Sequence, residues 1–365
     1  MKETATEKES SMSRKQRMIM KTGAAMAVMV GLAISAQANL CMLVEGHTVG
    51  GSMPQVRVLS YEQIPIEGIG LEENVMRRDP SDIIKVGDAY YVWYTKATTP
   101  PHRGYDATIW YARSEDGKAW TEIGEALARG GQGSWSEQSV FTPNILVAKG
   151  RYWLFFTGVP KPFINHGPNI TKTAIGVAVS DSPDGPWQRV GDDPILLASD
   201  DPQDFDSMRV DDACLIVRNG RYYLYFKGRQ WDNTPGNTKM GVAIAERPQG
   251  PYIKHEKNPI VEGGHEVLVW PYGEGVVALI STVGAGVART LQYSDDGINF
   301  AKMADMHRVP SAPGAYRPEA FTDSGRGEMI EWGLHIGRLS GHPAGDYSRY
   351  VPFLERFEFR WDIEP

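Results

Sequence analysis

Polar residues recur in this chain at the start of successive strand-like segments, and their side chains are of kinds that transfer protons or bind hydroxyl groups. These residues are Asp79, Asn144, Asp212, His265 or Glu266, and Arg317 or Glu319. A carboxylate can remove a proton from water, and an imidazolium can give one to a leaving oxygen. Asp79 is the candidate base, and His265 is the candidate acid because imidazole titrates near neutral pH. Asp212 would raise the pKa of His265 or stabilise a cationic transition state.

Each of these residues also has a structural interpretation. Asp79 precedes Pro80, which is typical of a turn. Asp212 follows Asp211, and such a pair can be a solvated turn or can bind calcium. Lys227 and Arg229 end an aromatic-rich segment, where they either donate to substrate hydroxyls or cap the strand edge. The functional interpretation is favoured because the five polar positions share one phase of a repeat.

The elements that would position these side chains are the strands of that repeat. Alternating β-branched and aromatic runs, separated by Gly, Asp, Pro and Asn turns, predict strands and almost no helix. The unit returns every 50 to 70 residues or so, as expected for a propeller blade with variable loops. Aromatic second strands stand at 90–95, 152–157 and 222–227. The sequence therefore predicts an all-β, five-bladed β-propeller, in which the starts of the inner strands ring one axis; a β-sandwich is the alternative.

The N-terminus has the pattern of an export signal. Basic residues precede an apolar run at 22–34, which ends in the small-residue pattern Ala36-Gln37-Ala38. We therefore predict a signal peptide at 1–38, an N-terminal extension at 39–74, a propeller at 75–365, and a periplasmic or secreted location. An uncleaved anchor is the alternative, and whether Cys41 is lipidated stays open.

Composition narrows the classes of partner. The 365 residues carry a formal net charge of −7 with a pI of about 5.7, which argues against nucleic acid. No second apolar stretch suggests a membrane partner after signal cleavage. The two cysteines, Cys41 and Cys214, do not make a disulfide scaffold; they form one disulfide or stay as two thiols.

Several motifs, found together and in order, resemble those of glycoside hydrolase family 117, a relative of the family 43 arabinanases and xylosidases. They are the stretches at 77–86, 90–95, 139–143, 181–187, 264–267 and 316–319. The resemblance implies an exo-acting, inverting α-glycosidase that releases 3,6-anhydro-L-galactose, or a related sugar, from the non-reducing end of neoagaro- or other red-algal galactan oligosaccharides.

The resemblance also implies roles for individual residues. Asp79 would be the base, Asp212 the second carboxylate and His265 an unusual general acid. The sugar contacts it implies are Thr142, Glu266, Arg317 and Glu319, to which the repeat adds Asn144 and the strand end adds Lys227. No cofactor is required by these motifs, while a divalent cation in the funnel and a homodimer stay open.

Two other functions remain. A family 43-like arabinofuranosidase or xylosidase would use Glu rather than His as its acid. A non-catalytic glycan-binding propeller would bind sugar without hydrolysing it.

Overall fold

The alternating apolar runs of the sequence form short antiparallel strands in the computed structural model of the protein. The structure describes residues 55–97, 104–165, 167, 169–284, 286–321, 326–337 and 351–364, all within one compact unit, Cys41–Pro365. The strands make five sheets of four or five strands, each running from an inner to an outer edge. This arrangement confirms the predicted five-bladed propeller.

The first three blades follow the chain order. Blade one contains β2 (Met76–Arg78), β3 (Ile84–Val86), β4 (Ala89–Ala97), β5 (Thr108–Ser114) and β6 (Thr121–Leu127). Blade two contains β7 (Ser139–Ala148), β8 (Arg151–Val159), β9 (Ala174–Ser180), β10 (Gln188–Arg189) and β11 (Leu196–Leu197). Blade three contains β12 (Arg209–Arg218), β13 (Arg221–Arg229), β14 (Lys239–Ala245) and β15 (Ile253–Lys254).

The last two blades complete the ring. Blade four contains β16 (Val267–Tyr272), β17 (Gly275–Ile280), β18 (Thr290–Ser294) and β19 (Ala301–Asp305). Blade five contains β20 (Gly314–Ala315), β21 (Trp332–Gly337) and β22 (Phe353–Glu364), with β1 (Gln55–Pro65) as its outer strand. Short 3-10 turns lie at Gly104–Asp106, Pro235–Asn237 and Pro318–Phe321.

The position of β1 shows that the propeller begins before the domain boundary at residue 75 that the sequence predicted. It lies within 39–74, the segment assigned to an extension, yet it pairs with β22 along its length. Its inward residues Val56, Val58 and Tyr61 are buried in the apolar cluster between blades four and five. The propeller therefore begins at β1, because the strand from the N-terminal side completes the blade that the C-terminus leaves unfinished. The predicted signal peptide at 1–38 lies outside the described residues.

The core consists of apolar layers between neighbouring blades. In β13, Leu224 and Phe226 pack toward blade two, whereas Tyr223 and Tyr225 pack toward blade four. This period of two buries both faces of the blade, which is why its strands are almost continuously apolar. The thiol of Cys214 is free and buried in the layer between blades three and four. In the part of the chain that the structure describes, no helix is long and apolar enough to cross a membrane.

Candidate active site

The inner strands of three blades share one local irregularity, and it places the site residues. Asp79, Thr142 and Asp212 adopt the left-handed backbone conformation, with φ of 50°, 46° and 54°. In β7 and β12 the strand register shifts at this point, so two inner-strand residues oppose one on the next strand. A bulge of this kind redirects a side chain out of the regular alternation. Positive φ is tolerated by Asp but strained for the β-branched Thr142, as is common at functional sites.

The irregularities open onto one pocket, which the sequence-predicted residues from blades one to four line together. Its wall is formed by Asp79, Pro80, Thr142, Pro143, Asn144, Asp212, Ala213, Cys214, Glu266, Val267, Leu268, Ala312 and Pro313. Ala312 and Pro313 precede β20, so all five blades contribute to the wall. The pocket thus brings three carboxylates together at the funnel end of the inner strands.

The Asp79 carboxylate is buried and held by its sequence neighbour. Arg78 Nε donates to both carboxylate oxygens, at 2.9 Å to Oδ1 and 2.8 Å to Oδ2. Asp79 itself is 6% exposed. No role is predicted for Arg78 from the sequence, where a basic residue directly before the candidate base is the only signal of this contact. The contact fixes the orientation of the carboxylate.

Asp212 is paired with a buried lysine from the neighbouring strand. Lys227 Nζ forms an ion pair with Asp212 Oδ2 and lies 3.4 Å from Asp211 Oδ1. Burial raises the pKa of Asp212 to about 8 against the opposing charge of Lys227, and the charges of Asp211, Asp79 and Glu266 raise it further. The charges of Asp211 and Asp212 raise the pKa of Lys227 and outweigh its burial. In this structure Lys227 is therefore the charge partner of Asp212.

His265 lies beside the pocket, with one ring nitrogen anchored. Its Nδ1 lies 3.0 Å from the carbonyl oxygen of Pro235 and 3.4 Å from Thr238 Oγ1. Because a carbonyl only accepts, Nδ1 carries a proton and Nε2, 3.7 Å from Glu266 Oε1, is the exchanging atom. Burial and the charge of Lys227 lower the pKa of His265, and the charge of Glu266 opposes them.

In blade two, the residue that matches Asp79 and Asp212 is Thr142 rather than Asn144. Aligning the repeats by their polar residues selects Asn144, whereas the match is set by the left-handed φ of 46° that Thr142 shares with Asp79 and Asp212, a feature that the residue types do not reveal. Asn144 Oδ1 accepts from the backbone N–H of Leu215 at 3.3 Å and so joins blades two and three. Thr142 Oγ1 lies 2.6 Å from Thr157 Oγ1. Both residues still line the pocket.

Arg317 and Glu319 lie in a different cavity from Asp79. This cavity is lined by Asp82, Ile145, Leu146, Leu215, Val217, Pro271, Arg317, Glu319 and Ala320. Arg317 Nη1 donates to Asp82 Oδ2 at 2.9 Å and to the carbonyl of Leu215 at 3.1 Å, while its Nε donates to Glu319. The buried pair of Arg317 and Asp82 joins blades one, three and five along the inner strands. The structure does not bring Arg317 or Glu319 to the pocket where the resemblance implied sugar contacts.

The acidic residues of the pocket do not make a metal site. Across the described part of the chain, no three His, Cys, Asp or Glu side chains are grouped as ligands of one ion. The divalent cation left open from the sequence therefore has no matching ligand set among these residues. What the pocket offers is Asp79 and Asp212 in different charge environments, with the imidazole of His265 beside them, an arrangement suited to acid–base chemistry.

Comparisons with known proteins agree with this geometry. The sequence profile of glycosyl hydrolases family 43 matches residues 74–213. A solved family 117 glycoside hydrolase, Zg3597 from the marine bacterium Zobellia galactanivorans, is 32% identical; the match covers 84% of this chain and 90% of that one, with a TM-score of 0.71. No curated protein sequence matches the chain.

More distant structures share the fold alone. Fructan 1-exohydrolase IIa from Cichorium intybus is 12% identical, with a TM-score of 0.55, and the match covers 79% of this chain and 56% of that one. A GH43_1 enzyme from Xanthomonas citri, solved with xylotriose, is 15% identical over 79% of this chain and 88% of that one, with a TM-score of 0.50. With the identity and coverage of the Zobellia match, these findings show that the chain is a glycoside hydrolase and belongs to family 117.

Proposed function

We propose that this enzyme is an exo-acting, inverting α-glycosidase that releases 3,6-anhydro-L-galactose, or a related sugar, from the non-reducing end of neoagaro- or other red-algal galactan oligosaccharides. The observation that carries the proposal is the shared pocket of Asp79 and Asp212. The two carboxylates stand on matching irregularities of different blades, and each has its own cationic partner. Membership of family 117 supports the choice of substrate class.

In the proposed reaction Asp79 is the general base. Its carboxylate takes a proton from a water molecule whose oxygen attacks the anomeric carbon from the face opposite the leaving group. As the new C–O bond forms, the glycosidic C–O bond breaks and the configuration inverts. Arg78 holds both carboxylate oxygens, so the base is oriented before the water arrives. General base catalysis of this kind contributes about 10²- to 10⁴-fold in rate.

His265 gives a proton to the leaving oxygen. The Pro235 carbonyl retains the Nδ1 proton, so the transferred proton comes from Nε2 of an imidazolium. The pKa of His265 is lowered, so the imidazolium is populated on the acid side of neutrality, with Glu266 providing the stabilising charge. Asp212 lines the same pocket, and the charge of Lys227 favours its ionised form, in which it would stabilise positive charge that develops on the sugar ring.

A second candidate is a family 43-like arabinofuranosidase or xylosidase in which Glu266 is the acid. The observation in its favour is that Glu266 lines the pocket wall with Asp79 and Asp212, whereas His265 stands beside it with a lowered pKa. Protonated Glu266 could then donate the proton to the leaving oxygen in the pocket, and an imidazolium at His265 would not be needed.

The two candidates differ in substrate and in the acid that they need. Purified enzyme is incubated with neoagarobiose and longer neoagaro-oligosaccharides, and separately with aryl arabinofuranosides and xylosides, and the products are separated by chromatography. We expect free 3,6-anhydro-L-galactose from the first set, with His265→Gln losing more activity than Glu266→Gln. Cleavage of the second set only, with the larger loss in Glu266→Gln, would replace the first candidate by the second.

We also propose that the enzyme is exported, to the periplasm or the medium, through the segment 1–38. Its apolar run and Ala36-Gln37-Ala38 pattern support cleavage there. N-terminal sequencing of the secreted protein tests this, with Asn39 as the expected first residue.

A further inference from the structure

Arg229, the last residue of β13, is a buried cation without a partner in the described part of the chain. It is 5% exposed, and its Nε is buried without a hydrogen-bond partner. The other buried arginines in the described part of the chain all have acceptors; they are Arg77, Arg209, Arg317 and Arg356. Burying an isolated charge costs free energy. A buried guanidinium without a hydrogen-bond acceptor from the protein is therefore unusual unless a ligand provides the acceptor.

A second buried arginine lies directly across the strand pair. Arg209 of β12 is the cross-strand partner of Arg229. Arg209 donates to the carbonyl of Thr171, to that of Met208 at 3.0 Å and to Asn165 Oδ1 at 2.8 Å, which are all neutral acceptors. Its own Nε is also buried without a partner. Burial lowers the pKa of Arg209, and the charge of Arg229 lowers it further.

The aspartates at this end of blade three contact Lys227 rather than the two arginines. Arg209, Arg229 and Lys227 are cations, and the charges of Asp211, Asp212 and Glu266 oppose them. Both aspartates face Lys227, at 3.4 Å from Asp211 Oδ1 and in direct contact with Asp212. Among the described residues, the two arginines therefore have no carboxylate in direct contact.

The position of the two arginines relates them to the catalytic pocket. Alternate residues of a strand point to the same side, so Arg229 follows Lys227 on the face of β13 that carries Tyr223 and Tyr225 toward blade four. Two residues of strand span about 7 Å. Arg229 also precedes the loop that supplies Pro235, the carbonyl partner of His265. An anion at Arg229 would thus lie about two strand residues beyond Lys227, whose ammonium contacts Asp212 of the pocket.

We infer that Arg229, with Arg209 beside it, forms a subsite for an anionic substituent of the oligosaccharide, either a sulfate ester or a carboxylate. A guanidinium donates two parallel hydrogen bonds to either group. This inference rests on the proposed function, because it places the substituent on the same substrate. It makes the preferred substrate a charged galactan fragment.

Binding is tested first with simple anions. Thermal unfolding of the full chain is followed in low-millimolar sulfate, acetate or chloride at constant ionic strength. Sulfate or acetate should raise the melting temperature of the wild type and of Arg221→Gln, a variant of the exposed arginine at the other end of β13. Arg229→Gln should lose the shift, and Arg229→Lys should keep part of it. Equal shifts in wild type and Arg229→Gln would overturn the inference.

Selectivity is tested with paired substrates. The ratio of kcat/KM for a sulfated or uronate-containing oligosaccharide to that for its uncharged counterpart should fall about 10- to 100-fold in Arg229→Gln, the loss expected for one charge-assisted hydrogen bond. Which charged substrate loses more identifies the source of the anion. An unchanged ratio contradicts the subsite. If Arg229→Gln does not fold, competitive inhibition of the wild type by free sulfate or acetate, weakened in Arg229→Lys, replaces this comparison, and its absence contradicts the subsite.

The outcomes separate this inference from the proposed function. An anion shift that depends on Arg229, in an enzyme that cleaves none of the galactan fragments, supports the subsite and rejects the substrate class. Cleavage of neoagarobiose with no dependence on Arg229 in either assay supports the function and rejects the subsite.

Discussion

Lys227→Met is the perturbation that tests the electrostatics of the site most fully. Lys227 is 7% exposed, and its ammonium is the contact that the structure gives to both Asp211 and Asp212. Removing one partner of a buried ion pair costs about 3–5 kcal/mol, because the remaining charge keeps its desolvation penalty. We expect a loss of that size in the free energy of unfolding at pH 9. The exposed pair of Lys239 and Glu262 provides the control, since Lys239→Met should cost about 1 kcal/mol or less.

The loss should depend on pH with a defined sign. The pKa of Asp212 in the folded enzyme is about 8, above the value of about 3.9 for an unfolded chain. A raised pKa means that Asp212 opposes folding increasingly as pH rises toward its folded value. Without Lys227 that value moves higher, so the variant continues to lose stability above pH 8, where the wild type has levelled off. The destabilisation is therefore smaller at pH 6 than at pH 9.

The same variant should change catalysis through His265. Lys227 lowers the pKa of His265, so its removal allows the imidazolium to persist to higher pH. Urea denaturation at pH 6, 7, 8 and 9 measures the first effect, and the pH profile of kcat/KM measures the second. A Lys227→Met enzyme as stable as the wild type at pH 9, with an unmoved alkaline limb, would refute this account of the charges around Asp212.

Three further outcomes are expected. Asp79→Asn should reduce kcat by about 100-fold or more while changing the free energy of unfolding by about 1 kcal/mol or less, since Asn also tolerates a φ of 50° and the Arg78 side chain, which is 20% exposed, can be solvated when the carboxylate is lost. Activity assays and urea titrations measure the two effects, and near-normal turnover would exclude Asp79 as base. In the wild type, kcat/KM should fall on the alkaline side with an apparent pKa below the usual 6.5 of histidine, and His265→Gln should abolish that limb, which a stopped assay across pH 4 to 8 detects; a limb retained in His265→Gln would point to another acid. Arg317→Met should lower the free energy of unfolding by about 3–5 kcal/mol, because Asp82 would stay buried without its cationic partner. The kcat/KM of the folded variant should stay within a few-fold of wild type. A large rise in KM with normal stability would instead support Arg317 as a sugar contact.

The blades could be predicted from the sequence because each carries the same local signals. Aromatic runs such as 152–157 and 222–227 alternate between two apolar layers, and Gly- or Asn-containing turns join them. The site could be predicted in outline, since Asp79, Asp212 and Glu266 converge because they share a place in the repeat. A feature that recurs in every blade can be found by aligning the repeats of the sequence.

The remainder depended on features that the repeat does not encode. Thr142, and not Asn144, matches Asp79 and Asp212 because these three residues share a left-handed backbone conformation, which the residue types do not reveal. The inner strand of blade five is only two residues long. Too little repeat sequence is therefore present there to predict where Arg317 and Glu319 lie. The pairing of β1 with β22 joins segments about 300 residues apart, and the alternation of Val56, Val58 and Tyr61 gives no hint of its partner.

The most direct test of the central claim is a proton NMR time course of neoagarobiose with wild-type enzyme and with Asp79→Asn. The proposed function predicts that free 3,6-anhydro-L-galactose accumulates in the wild type, that its first-formed anomer has the configuration opposite to the glycoside, and that the variant produces almost none. Release with retained configuration, or equal release by Asp79→Asn, would contradict the claim that Asp79 activates the attacking water.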